Sequence, residues 1–297
     1  MLKTVRHIFF IYAFLFLSLN ALQTQAQVDR KKSSYTGRSS TQSFEKTQFY
    51  IGIRGGINLT EVHVVNPYSS FVSPTNSSEE YLKSYKSFSK PSAAFGLEFS
   101  FSYTKFTASF QPNYRRQTFS YSNTYEWADA SNSQNYLQLS YNQKTSLDYI
   151  ELPLFIRYDI VSGAFKPFVQ VGFYYGILNN ATKELTIEGV DNASGTSRNF
   201  TEPSSIIGAK NLYIKSSIGA AFGLGTSYKV GNVRLIVDAT YRMGLNNISN
   251  VKNRYTSNAL SGVGDVTDDI KLNNITFSFG CLFPMKFLVS PSHKAVD

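Results

Sequence analysis

The chain has 297 residues, of which only 16% are charged and 15% aromatic. Sparse charge with a mean hydropathy only slightly below zero suits a sheet with one oily and one polar face, and excludes a helical membrane protein, which needs several apolar runs of about 20 residues. The formal charge of +9 is concentrated in the first 47 positions rather than along a basic stripe with stacking rings, and Cys281 stands without a CxxC pair or His/Cys cluster, so nucleic-acid binding and a structural zinc site are excluded.

The chain opens with Lys3 and Arg6, an apolar stretch from Ile8 to Leu22, and small residues Thr24 and Ala26 before Gln27. A basic start, a short apolar core and a small-residue exit predict a secretory signal peptide over 1–26. Residues 27–47 are rich in Lys, Arg, Ser, Thr and Gln. They carry too little apolar surface to fold alone and are expected to form a flexible periplasmic tail. A short C-terminal tail is expected over 288–297, which leaves 48–287 as the folded domain.

Eight segments then alternate at period two: Phe49–Leu59, Ala93–Ser102, Lys105–Arg116, Leu147–Ile160, Lys166–Leu178, Asn211–Tyr228, Val233–Asn246 and Leu272–Met285. Their connections alternate in length. Tyr103–Thr104, Val161–Phe165 and Lys229–Asn232 are short. Thr60–Ser92, Gln117–Ser146, Asn179–Lys210 and Asn247–Lys271 are long and polar. Short turns on one rim and long loops on the other predict an all-β, eight-stranded antiparallel transmembrane up-and-down barrel, with short periplasmic turns and long extracellular loops. A soluble sandwich would keep connections short at both ends.

The faces follow from parity. In "LDYIELPLFIRYDI", Ile150, Leu152, Leu154, Ile156, Tyr158 and Ile160 share one side, and Tyr149, Glu151, Pro153, Phe155, Arg157 and Asp159 the other. An eight-stranded interior has room for little more than side chains. The bulky apolar faces would overfill it, so they are assigned to lipid and the small, polar and charged faces to the lumen. Glu151 and Arg157 lie six residues apart, roughly 20 Å along a strand, and need partners on neighbouring strands. Arg115 matches Glu151 in height, and Arg54 matches Glu98. With Arg157, Asp159, Lys215, Arg234, Asp238 and Arg242 on the same face, a column of ion pairs plugging the lumen is expected. Pro153 removes a ladder donor and predicts a bulge.

"FYIGIRGGINLT", "YIELPLFIRY", "KPFVQVGFYYG" and the glycine-rich "SSIGAAFGLG" resemble the PorT-like outer-membrane β-barrel proteins, over about Gln48 to Phe287. The resemblance implies a barrel in the outer membrane. The namesake of that family is linked to type IX protein secretion, and no functional residue is carried over from it. Ser278, Gly280, Phe283 and Met285 resemble the assembly signal on the last strand of such barrels, although here the chain continues about ten residues past Phe287.

No motif points to a cofactor, a metal or catalysis. "GIRGGIN" lacks the following helix that a phosphate loop requires. A rim hydrolase or acyltransferase would need a histidine base, and only His63 falls on the loop rim, since His7 and His293 lie in the leader and the tail. Asn192–Ser194 and Asn199–Thr201 match the N-x-S/T tripeptide, as chance allows in an Asn- and Thr-rich chain. The rings of the loops (Tyr68, Phe71, Tyr81, Tyr85, Tyr121, Tyr125, Trp127, Tyr136, Tyr141) form either a binding surface or strand extensions and interfacial anchors. The expected function is therefore non-enzymatic contact through loops or tails. Expected partners are outer-membrane lipid, the outer-membrane assembly machinery and other envelope or secretion proteins. A small channel and a rim enzyme are the alternatives, and a lipocalin-like carrier would need the faces swapped.

Overall fold

The computed structural model describes residues 47–68, 83–129, 131–132, 134–193, 196–255 and 266–285. The expected leader and tails lie outside these residues, except for Thr47, which begins the first strand. Eleven strands form one antiparallel sheet: β1 (Thr47–Asn66), β2 (Ser84–Lys86), β3 (Ser92–Tyr103), β4 (Phe106–Phe110), β5 (Asn113–Ala128), β6 (Tyr136–Asp159), β7 (Phe165–Asp191), β8 (Arg198–Gly208), β9 (Ser216–Val230), β10 (Val233–Gly244) and β11 (Asp269–Pro284). The sheet closes because β1 pairs with β3 on one side and with β11 on the other. Eight staves make the ring, with β4 and β5 forming one interrupted stave. β2 and β8 are accessory strands that pair only at the loop end.

Three short turns mark one end. Thr104 and Lys105 join β3 to β4, with Thr104 at a φ of 52°. Gly231 and Asn232 join β9 to β10, with Gly231 at 58°, a left-handed value that costs glycine nothing sterically. Residues 160–164 join β6 to β7.

The lipid-facing parity holds on every stave. Leu154, Phe173 and Leu224 are 62%, 69% and 66% exposed, and Ile53, Phe95, Val237 and Phe277 are exposed beside them. Tyr149, Glu151, Phe155, Arg157 and Asp159 are all buried inside. Small interior residues make space for large ones. A Cβ on Gly225 would stand 2.6 Å from the ring of the buried Phe168.

Two expectations are corrected. The bulge is not at Pro153, which pairs in register with Tyr174. Pro153 leaves a gap in the ladder instead. The Gln111 amide still donates to the Pro153 carbonyl, at 3.0 Å, but Pro153 has no N–H to return. The stranded Gln111 carbonyl accepts from Asn113 Nδ2 at 2.8 Å, so that oxygen is not left orphaned. Pro112, also without an N–H, sits in the same interruption between β4 and β5. The bulge lies higher, where Asp148 pairs with Asn180 and Tyr149 with Leu178, leaving Asn179 as the extra residue.

The second correction concerns the loops. Much of Gln117–Ser146 and Asn179–Lys210 is strand. β5 and β6 stay paired up to Ala128 and Tyr136, and β6 and β7 up to Leu137 and Asp191. At about 3.3 Å per residue β7 is about 90 Å long, whereas about 9–11 residues cross a bilayer. Over half of it therefore projects beyond the membrane, carrying β8 on its edge.

Candidate functional site

The lumen is built in layers by inward side chains of facing staves. Nearest the turn end, Arg234 Nη2 donates to Asp159 Oδ2 at 2.7 Å, while Arg234 Nε donates to Ser227 at 3.0 Å. The Arg157 guanidinium lies 4.3 Å from the centre of the Phe168 ring, close enough for a cation–π contact. In the middle layer Arg54 donates to Glu98 at 2.8 Å, to Ser278 at 2.6 Å, and pairs with Asp238. Arg157 reaches the other oxygen of Glu98 at 3.4 Å. Gln170 on β7 donates to Thr240 on β10 at 2.8 Å, over Gly223 on the strand between them.

The next layer centres on Glu151. Its Oε2 accepts from Arg115 Nε at 2.8 Å and from Arg242 Nη1 at 2.9 Å, and its Oε1 from Gln117 at 3.2 Å. Arg115 also donates to Asn58 at 2.8 Å and to Thr276 at 2.6 Å. Apart from Arg54 and Ser278, which are partly exposed, these groups are buried, with Arg157 and Glu98 wholly so. Charges buried in this way are tolerated only when paired and hydrogen-bonded.

Above the charges sits an apolar cap of Phe119, Leu147, Tyr149, Leu178, Leu212, Ile248 and Ile270 with their neighbours. Beyond it a polar knot ties the loop end together. Asp268 accepts from Lys83 at 2.8 Å and from Tyr85 at 2.7 Å. Asp269 accepts from Asn66 at 3.1 Å and Asn247 at 2.8 Å and pairs with Arg254, whose guanidinium stacks 3.5 Å from the centre of the Tyr68 ring. Burial opposes ionisation of Asp269, but the two amide donors and the Arg254 charge outweigh it and hold its carboxyl below the usual carboxylate range.

Of the residues assigned to the lumen, Arg54, Glu98, Arg115, Glu151, Arg157, Asp159, Arg234, Asp238 and Arg242 come together there. Lys215 does not. It is exposed and precedes β9, where the chain runs over the cap with Ile214 packed against the apolar cluster, so strand parity does not yet apply. Ser278 bonds Arg54 and Asp238, Gly280 faces the Arg54 stem, and Phe283 and Met285 point outward. Phe71 and Tyr81 lie outside the described residues. Tyr121, Tyr125 and Tyr141 point inward above the membrane, and Trp127 is nearly half exposed. His63 is exposed, opposite Lys271 on β11. Among the described residues no cluster of His, Cys, Asp or Glu is placed to hold a metal.

Parity alone would have found Asn58, Thr60, Gln117, Gln170, Thr240 and Thr276, the uncharged members of the lumen network. No period marks Lys83, Arg254 and Asp268, which lie in irregular chain, or Asp269, which stands at the very start of β11.

The family model described as the outer membrane protein beta-barrel domain matches residues 25–250. No curated protein sequence matches significantly. Among solved structures the chain is similar to the attachment invasion locus protein Ail of Yersinia pestis, crystallised with a heparin analogue (10% identity, 80% of this chain and 99% of that one, TM-score 0.29). It is also similar to the Neisserial surface protein NspA (13%, 78% and 95%, 0.28) and to the outer membrane protein AlkL (14%, 88% and 99%, 0.36). With its ring of eight staves and oily outer face, the chain belongs to the outer membrane protein beta-barrel domain family and resides in the outer membrane.

Proposed function

We propose that this protein is a non-enzymatic outer-membrane barrel whose bore is plugged by ion pairs, and that it acts by contact, presenting its projecting extracellular sheet to an envelope or surface partner. The observation that supports this reading is the set of ion pairs inside the bore. Three layers of arginine–carboxylate pairs lie in it, and an apolar cap lies on top. The sheet of β5, β6, β7 and β8 supports the contact role, because chain of that length beyond the bilayer serves no purpose in anchoring. The outward position of His63, opposite a lysine, counts against a rim hydrolase. The PorT-like resemblance supports a place beside envelope or secretion assemblies.

Single-channel recording in planar bilayers tests the plug. Closed traces are expected, and steady openings from correctly folded protein refute it. The contact role is tested by replacing Thr124–Ser140 with an Asn-Gly turn, which joins the paired Asn123 and Tyr141. The variant is expected to keep its heat-dependent shift in gel mobility while losing the partners that co-purify from gently solubilised membranes. Unchanged partners would place the contact elsewhere.

A further inference from the structure

The lumen charges do not balance. Among the described residues five guanidinium groups (Arg54, Arg115, Arg157, Arg234, Arg242) face four carboxylates (Glu98, Glu151, Asp159, Asp238), all buried except Arg54, whose side chain is 9% exposed. The carboxylates of the upper layers are fully engaged. Both Glu151 oxygens accept hydrogen bonds, from Arg115, Arg242 and Gln117. Asp238 is taken by Arg54, Ser278 and Thr240. Beside them, Nε of Arg242 has no hydrogen-bond partner although the side chain is buried. Nearer the turn end Nε and Nη1 of Arg157 are also unpartnered, as is Oδ1 of Asp159. An uncompensated cation in a low-dielectric interior is costly, and a counter-charge within reach removes that cost.

A place for one exists. A cavity of about 30 Å³ opens in the wall beside Gly96, lined on its inner side by Arg54, Arg115 and Arg242, with Gln111 and Thr240 adding an amide and a hydroxyl and Asp238 as its one carboxylate, and bounded on its outer side by Phe95 and Leu97. That volume holds one or two water-sized particles. We infer that the lumen binds a single small monovalent inorganic anion, of halide size and charge, among Arg54, Arg115 and Arg242. One negative charge brings five against four to neutrality. A divalent oxyanion would overcompensate, and an organic carboxylate is too large.

The test uses the full-length mature protein in detergent. Bromide is titrated into a gluconate buffer at fixed ionic strength, and the temperature at which the folded gel band gives way to the unfolded one is recorded. A saturable rise of a few degrees is expected with bromide and none with gluconate alone. Arg242→Met removes the surplus charge and one wall of the site, and is expected to abolish the rise. Glu151 keeps Arg115 as a partner in that variant. Independently, crystals of the unmodified protein in bromide are expected to show an anomalous peak among the three arginines. A cavity without that peak, an equal response to bromide and gluconate, or an undiminished rise in Arg242→Met overturns the inference. The map and the titration of the unmodified protein decide the matter even if the variant fails to fold.

Discussion

Arg54 on β1 and Asp238 on β10 stand 184 positions apart in the chain and form an ion pair inside the barrel. Without Asp238, Arg54 keeps only Glu98 as a counter-charge, so removing that one member costs part of the about 3–5 kcal/mol of a fully stranded buried charge, whereas replacing both by apolar side chains costs far less. Asp238→Ala is therefore expected to lower the urea midpoint of unfolding sharply in lipid vesicles. The double variant Arg54→Met/Asp238→Leu is expected to recover most of the loss. A double variant as unstable as the single one would show that the pair is not the unit that matters.

The interruption beside Pro153 gives a second prediction. Asn113→Ala removes the donor that satisfies the Gln111 carbonyl, and is expected to destabilise the barrel by about 1–3 kcal/mol. Pro153→Ala restores an N–H at that height, so in its background the Asn113→Ala cost is expected to shrink. Equal costs in both backgrounds, read from urea unfolding, would separate Asn113 from the gap.

Leu154 and Ile206 are similarly exposed, at 62% and 72%, yet one belongs to the lipid belt and the other to the projecting sheet. Arginine at position 154 is expected to cost about 2–4 kcal/mol, as at a bilayer midplane. Arginine at position 206, in water, is expected to stay within about 0.5 kcal/mol of the parent. Unfolding of both variants in vesicles maps the membrane boundary, and equal costs would move it.

Asp269 predicts a pH response at the loop end. Its folded carboxyl ionises below the unfolded value of about 4, so its contribution is present above that value and is lost as pH falls through the lower folded one. Amide protection over Asn247–Arg254, taken relative to the intrinsic exchange rate at each pH, is expected to be high at pH 7 and at pH 5 and to fall on further acidification. Asp269→Asn is expected to exchange faster at pH 7 and to lose most of that acid dependence.

The staves were legible in the sequence where lipid lies on one side of the sheet and a narrow polar bore on the other. Leu154, Phe173 and Leu224 alternate cleanly with small or polar neighbours for that reason. Above the bilayer the code inverts. On β5 the inward positions pass from Arg115 and Gln117 to Phe119, Tyr121 and Tyr125, while the outward ones become Ser120, Ser122 and Thr124. On β7 the extra residue Asn179 also shifts the parity. Inward Tyr174 and Leu178 are followed by Ala181, Lys183 and Leu185. A strand that changes both its solvent and its register reads as an irregular polar loop. The lumen charges were legible by the same parity, and Lys215 was misplaced because it lies just before the regular pairing of β9 begins.

Arg54 on the first stave has Glu98 on the second within reach, but its other ion-pair partner, Asp238, stands on the penultimate one, which also supplies Arg242 to Glu151. A barrel short of its last strands would leave both of these buried groups half paired, so the network is complete only in the finished chain.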